Sequence, residues 1–187
     1  GKAMVNILPI EPDETINTVM PMPEDESRWG ELNVVFATAS GNIRRNNLSD
    51  FTNIKRNGKI AMKLQDGDDL VGVMPCNDTD DVLLATRDGK AIRFGIDAVR
   101  VFRGRDSTGV RGMRLLGNDC VVSMSIITDD ANQFILSVTE NGYGKRTPVD
   151  DYRRSGRGGQ GVANIETSKR NGRVMASFAV VEDDQLM

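Results

Sequence analysis

The chain has no histidine. That removes imidazole general-base chemistry and most catalytic zinc sites at once. It has only two cysteines, Cys76 and Cys120, each in or just after an apolar strand. They read as free thiols of a reducing compartment rather than as a disulfide framework. No apolar run approaches the ~20 residues that cross a bilayer. There is no secretory signal pattern and no lipidation box. Sustained apolar spacing at i, i+3 and i+4 is missing too, which argues against long helices. Gly156–Gly161 is glycine-rich, but no Gly-Lys-Ser/Thr follows to make a nucleotide loop. Asp66–Asp69 reads DGDD but lacks the bidentate glutamate that a calcium loop needs at its twelfth position. It reads instead as an acidic turn.

What is present is repetition. Asn57–Leu64 reads NGKIAMKL, Arg103–Leu115 reads RGRDSTGVRGMRL, and Gly158–Ile165 reads GGQGVANI. Setting Gly58, Gly109 and Gly161 equivalent gives periods of 51 and 52 residues, with Met62, Met113 and Ile165 in register. Upstream of each copy lies a strand–turn–strand: VVFATASGNIRR (34–45), LLATRDGKAIRF (83–94) and LSVTENGYGKRT (136–147). Their turns, Ser40-Gly41, Asp88-Gly89 and Asn141-Gly142, are hairpin chemistry, because glycine accepts a positive φ without steric cost. Downstream come an acidic turn and another apolar strand, DGDDLVGVM (66–74) and GNDCVVSMS (117–125). About four strands per unit at this period is the pattern of a propeller blade. The expected fold is therefore all-β, in four-stranded antiparallel blades.

The register gives a partial blade over 1–32, blades over 33–81, 82–131 and 132–181, and the start of another at 182–187. Met62, Met113, Met124 and Tyr152 are expected in the core, Tyr143 in a hairpin, and Trp29 as a lid over a blade edge or an exposed tip.

Net charge is −3, but charge is sorted along the chain. Residues 41–63 hold six basic side chains against one acidic, 93–114 six against two, and 145–173 eight against three. Residues 11–31, before them, and 66–81, between the first two, are acidic windows. Stacked repeats would gather the basic segments into a row, and local sign rather than net charge sets an electrostatic footprint.

NGYGKRTPV, TGVRGMRL, FATASGNIRRNNLSDF and RNGKIAMKLQDGDDLVGV together resemble the C-terminal domain family of the DNA gyrase A subunit. The resemblance covers essentially the whole chain and recurs in each repeat. It implies a propeller-like β-pinwheel whose basic outer rim binds and bends duplex DNA. The family's seven-residue box, Gln-Arg-Arg-Gly-Gly-Lys-Gly, has no intact copy here; Ser155–Gly161 matches it at Arg157, Gly158, Gly159 and Gly161. The resemblance places the intact box in a first blade N-terminal to these residues, and the DNA-cleaving tyrosine in a separate N-terminal domain. Neither Tyr143 nor Tyr152 is thus a catalytic candidate.

The expected function is non-catalytic DNA binding and wrapping that supports ATP-dependent negative supercoiling in a cytoplasmic, nucleoid-associated bacterial enzyme. The resemblance implies that the partner is the gyrase B subunit, in a heterotetramer, with ATP and Mg²⁺ bound elsewhere in that complex and no cofactor or metal here. The residues expected to meet DNA are Arg44, Arg45, Lys55, Arg56 and Lys59, then Arg93, Arg103 and Arg105, then Lys145, Arg146, Arg153, Arg154 and Arg157. The alternatives are the C-terminal domain of the topoisomerase IV paralogue and a protein-recognition β-propeller.

Overall fold

A computed structural model describes residues 6–8, 10, 16–55, 58–128 and 132–185. Twelve strands are described, broken only by short 3-10 turns. The first blade is built on β1 (Asn33–Thr38), with β2 (Asn42–Asn47) on one side and β3 (Leu70–Cys76) on the other. The second repeats this with β4 (Asp81–Thr86) between β5 (Lys90–Gly95) and β8 (Val121–Ile127). The third has β9 (Phe134–Thr139) between β10 (Gly144–Pro148) and β12 (Val174–Val180).

The fourth strand of a blade comes from the following repeat. In the second repeat, β6 (Val101–Phe102) runs parallel to β2, and β7 (Val110–Arg111) pairs antiparallel with β2. In the third, β11 (Val162–Ala163) pairs with β5, and an isolated parallel bridge joins Arg154 to Arg93. The first two blades are thus completed by strands lent from the next unit, not by four consecutive strands of their own, while the third has three strands among the described residues.

Glycine makes this close approach possible. The hairpin turns close with Gly41 N–H donating to Thr38 O, and Gly89 N–H to Thr86 O. With φ of +85° and +86°, both glycines occupy the left-handed region that ends a three-residue hairpin loop. The Gly41 carbonyl then accepts from the Gly112 and Met113 amides, and the Gly89 carbonyl from those of Asn164 and Ile165. A Cβ on Gly89 would sit 2.2 Å from Ile165 O. The repeat glycines 109 and 161 also match: a Cβ on either would fall 2.3 Å from a carbonyl of the preceding blade, Ile43 O or Ala91 O. Gly58 shares their positive φ, but a Cβ there would meet nothing within 4 Å among the described residues.

Packing explains why these strands are apolar without alternation. β4 is buried along its whole length. Val82 and Leu84 face a core shared with Val35, Ala37 and Ile43 of the first blade, while Leu83 and Ala85 face Ile135, Val149 and Tyr152 of the third repeat. Successive side chains point to opposite sheet faces, so a blade between two blades must be apolar on both. Met113 and Met124 fill the first of these cores. Trp29 packs against Val34, Phe36, Leu48, Phe51 and Met62 in a third cluster, and its indole N–H donates to Pro23 O at 2.9 Å. It is a lid, not an exposed tip. Cys76 is buried and Cys120 half-buried, and both are free thiols.

The acidic turns latch the hairpins. Asp68 accepts from the Ser40 amide (2.9 Å) and hydroxyl (2.6 Å); Asp119 does the same for the amides of Asp88 and Cys120. Burial pushes the Asp68 carboxyl up, but its hydrogen bonds with Ser40, Thr38 and the Asp69 amide together outweigh that and hold it below the ordinary aspartate value.

Candidate nucleic-acid interface

After each outer strand the chain makes a short 3-10 turn, at Leu48–Phe51, Ile96–Ala98 and Val149–Asp151. It then runs out into a basic loop and returns as a glycine-led segment. These three excursions touch one another in series. Arg105 Nη1 donates to Ile60 O, joining the first loop to the second. Lys55, Lys59, Arg105 and Asp106 border an open hollow of about 310 Å³ there. Between the second and third loops, Gly158 N–H donates to Gly112 O (2.7 Å) and Arg114 N–H to Gly159 O (2.8 Å). Arg157 adds Nε to Ala98 O (3.1 Å) and Nη1 to Arg111 O (2.5 Å). The outcome is a continuous ridge bearing Lys55, Lys59, Arg103, Arg105, Arg153 and Arg157, of which Lys59 and Arg105 are half-buried and the rest exposed. Arg103 and Arg153 have no hydrogen bond or ion pair among the described residues.

Two ridge arginines were not among the expected site residues. Arg111, in β7, and Arg114, just after it, are exposed between the second and third loops, while Met113 between them is buried. The signal was the alternation in TGVRGMRL, whose polar positions point away from the core.

Several expected site residues lie elsewhere. Arg44 is buried at 0% exposure and Arg45 at 7%, so neither is placed to touch a surface ligand. Arg45 pairs with Asp78 at 2.9 Å. Arg93, at the equivalent place in β5, pairs with Asp81 at 2.7 Å and donates to Val149 O at 3.0 Å. Arg146, the third in register, lies 4.6 Å over the Phe134 ring and 3.5 Å from Glu182. Lys145 donates to Asn164 O, and Arg154 joins Asp81 and Asp97. The recurring outer-strand arginine thus meets an acid in each repeat, Asp78, Asp81 or Glu182, and is withdrawn from the surface in the first two, while Lys145, Arg146 and Arg154 remain exposed. Arg56 lies outside the described residues.

Aromatic rings are mostly withdrawn from the surface. Tyr152 is buried, its hydroxyl donating to Asn164 Oδ1 at 2.5 Å, and burial pushes its pKa up. Tyr143 is the most exposed ring among the described residues, and Arg170 stacks over it at 4.8 Å. Among the described residues no group of three or more carboxylate or thiol side chains is placed to hold a metal, and no helix is long and apolar enough to cross a membrane.

Comparison with known proteins agrees with this architecture. The DNA gyrase C-terminal domain, beta-propeller family model matches three times, over residues 32–77, 80–128 and 133–180. The DNA gyrase A subunit of Salmonella typhimurium is 43% identical over 187 residues, covering 100% of this chain and 21% of the relative. That of Rickettsia bellii is 39% identical over 233 residues, covering 100% and 26%. The chain thus spans about a quarter or less of the length of these relatives. A solved DNA gyrase A C-terminal domain superposes with a TM-score of 0.83 at 29% identity, over 98% of this chain and 59% of that one. The C-terminal domain of a DNA topoisomerase IV superposes at 0.85 with 25% identity, over 96% and 55%. With three matches in register with three blades, the chain belongs to the DNA gyrase C-terminal domain, beta-propeller family.

Proposed function

We propose that the ridge binds duplex DNA by neutralising phosphates, with little dependence on sequence, and bends it around the blades. The observation that carries this reading is the contiguity of the three basic loops in a chain whose net charge is −3. A polyanion is attracted to such a protein only if positive charge is gathered on one surface. Arginine forks suit phosphate oxygens, and the glycine turns let backbone approach closely. Bending 20–30 base pairs by 40–90° costs of order 1–6 kcal/mol, offset by contacts that the curvature adds. The scarcity of exposed rings favours duplex over single strands, whose binding relies on base stacking.

In the parent enzyme this domain takes no part in bond breaking. It presents curved DNA to a cleavage site elsewhere, in a bacterial complex with the gyrase B subunit, where ATP and Mg²⁺ are used. Membership of the gyrase A family supports that assignment.

The test is fluorescence anisotropy on linear duplexes across a salt series. Replacing Arg103 and Arg153 with Ala should flatten the slope of log K against log salt by about 0.9 for every phosphate no longer neutralised. Unrelated sequences should weaken equally. An unchanged slope and affinity in a folded double variant would favour a protein-recognition propeller instead.

A further inference from the structure

Arg44 is the largest fully buried side chain of the described residues, and it is a cation. No carboxylate lies within ion-pair distance of it among the described residues. Its Nη1 donates to Arg105 O (2.7 Å) and Ser107 O (2.8 Å), and its Nη2 to Ala61 O. One guanidinium, rising from β2 of the first blade, therefore holds the backbone of two basic loops, one from each of two repeats. Its Nε is buried and has no acceptor. The Phe36 ring lies 5.3 Å away on its apolar side. Asp50, the acid with the strongest pull on it, is engaged by Asn46 at 2.8 Å.

This arrangement is costly for the fold alone. Burying a charge without a counter-ion is unfavourable, and an apolar residue of similar volume is often at least as stable. The other repeats show that the position does not require arginine: the equivalent residues are Ile92 and Lys145. At the second junction the corresponding loop is held from outside by Arg157. What Arg44 adds to the Arg105–Ile60 hydrogen bond is a buried fork between loop 58–61 and loop 104–107, plus a positive charge close to Arg105.

We infer that Arg44 is a positioning residue for polyanion binding, a buried clamp on two basic loops whose missing counter-charge is supplied by the phosphates bound outside. This rests on the DNA-binding reading above. It does not require Arg44 to touch DNA. The ligand chemistry is a phosphodiester backbone laid across the first junction, contacting Lys59 and Arg105 from the two clamped loops.

The test compares Arg44→Gln and Arg44→Lys with the unsubstituted chain by amide hydrogen exchange and by binding to a linear duplex across a salt series. Arg44→Gln should speed exchange at 58–61 and 104–107 while leaving 82–94 protected. It should weaken DNA binding roughly tenfold. The salt slope should fall by about 0.9 for each phosphate released, although the residue replaced is itself buried. Arg44→Lys keeps the charge but cannot fork between two loops, so it should restore part of the affinity and little of the exchange protection. Normal loop exchange and unchanged binding in folded Arg44→Gln would overturn the clamp. Should that variant not fold, Arg44→Lys decides by the same two readings. If neither folds, the unsubstituted chain decides: the Arg44 Nε–H resonance should stay slowly exchanging and shift when duplex is added, and a resonance indifferent to DNA refutes the proposal. A chain that binds no duplex at all would sink the DNA reading, while the exchange result still reports the clamp.

Discussion

Arg154 crosses a repeat boundary to reach Asp81, its Nε 2.9 Å from Oδ1. Arg93 holds the other oxygen of the same carboxylate at 2.7 Å. Asp81 is 6% exposed, so it joins the second hairpin to the third repeat inside the protein.

Asp81→Ala should therefore destabilise the chain by about 1.5–3 kcal/mol, the range for hydrogen bonds to charged groups. Arg154→Ala should cost much less, under about 1 kcal/mol, because that side chain is more than half exposed and Arg93 remains. Urea unfolding of the two variants checks the order, and equal losses would contradict it.

Gly89→Ala and Gly142→Ala separate backbone strain from strand lending. Both glycines have a positive φ, so each substitution carries the left-handed penalty of about 1–2 kcal/mol. Only at Gly89 does the new Cβ also strike Ile165 O; at Gly142 nothing lies within 4 Å among the described residues. Gly89→Ala should be clearly the worse, with faster amide exchange at Asn164 and Ile165.

Burial raises the Cys76 thiol to about 12, with Arg45 pulling the other way. The folded state thus favours the neutral thiol. That contribution to stability is present below the unfolded value of about 8.5 and lost as pH rises from there towards about 12. Cys76 should resist alkylation at pH 8 in the native chain and react on unfolding. Rapid native labelling of Cys76 would show that the junction opens.

Asp68 works at the opposite end of the scale. Its carboxyl is depressed, so the hairpin latch is complete above about pH 3.9 and lost as pH falls through the lower folded value. Asp68→Asn should flatten the acid limb of the stability profile followed by circular dichroism.

Arg111→Ala with Arg114→Ala should weaken duplex binding about as much as a loop pair does, each phosphate released removing about 0.9 from the salt slope. Asp66→Ala, in the acidic turn, should leave that slope unchanged. A double variant with an unaltered slope would confine the interface to the loops.

The blades were legible because their signals are local. Glycines 41, 89 and 142 mark turns wherever the chain goes next, and DVLLAT announces burial on both faces. The partner of each strand was not local. Val110 pairs with Ile43 across a repeat boundary, and period alone does not tell which blade a strand completes. Charge misled for the same reason. Arg45 and Arg93 stand in basic windows, but their partners, Asp78 and Asp81, stand in or beside an acidic one. Alternating windows looked like surface sorting and proved in part to be internal neutralisation. Arg103 and Arg153 stand in the same basic windows but are exposed and make no ion pair among the described residues. Arg111 and Arg114 flank the buried Met113, and that core residue masks the basic ones beside it.

Strand lending also governs how such a chain lengthens. The second unit both lends short strands and receives one, so a tandem copy of such a unit, 51 or 52 residues long, arrives with its own donor and its own acceptor. Inserted anywhere along the array, it leaves every neighbour with a mate and creates no new raw edge. Duplication and deletion of whole units are therefore nearly neutral for pairing, while a half-unit change orphans a strand. Evolution has a ratchet with one tooth size, and the array can lengthen or shorten only in blade-sized steps.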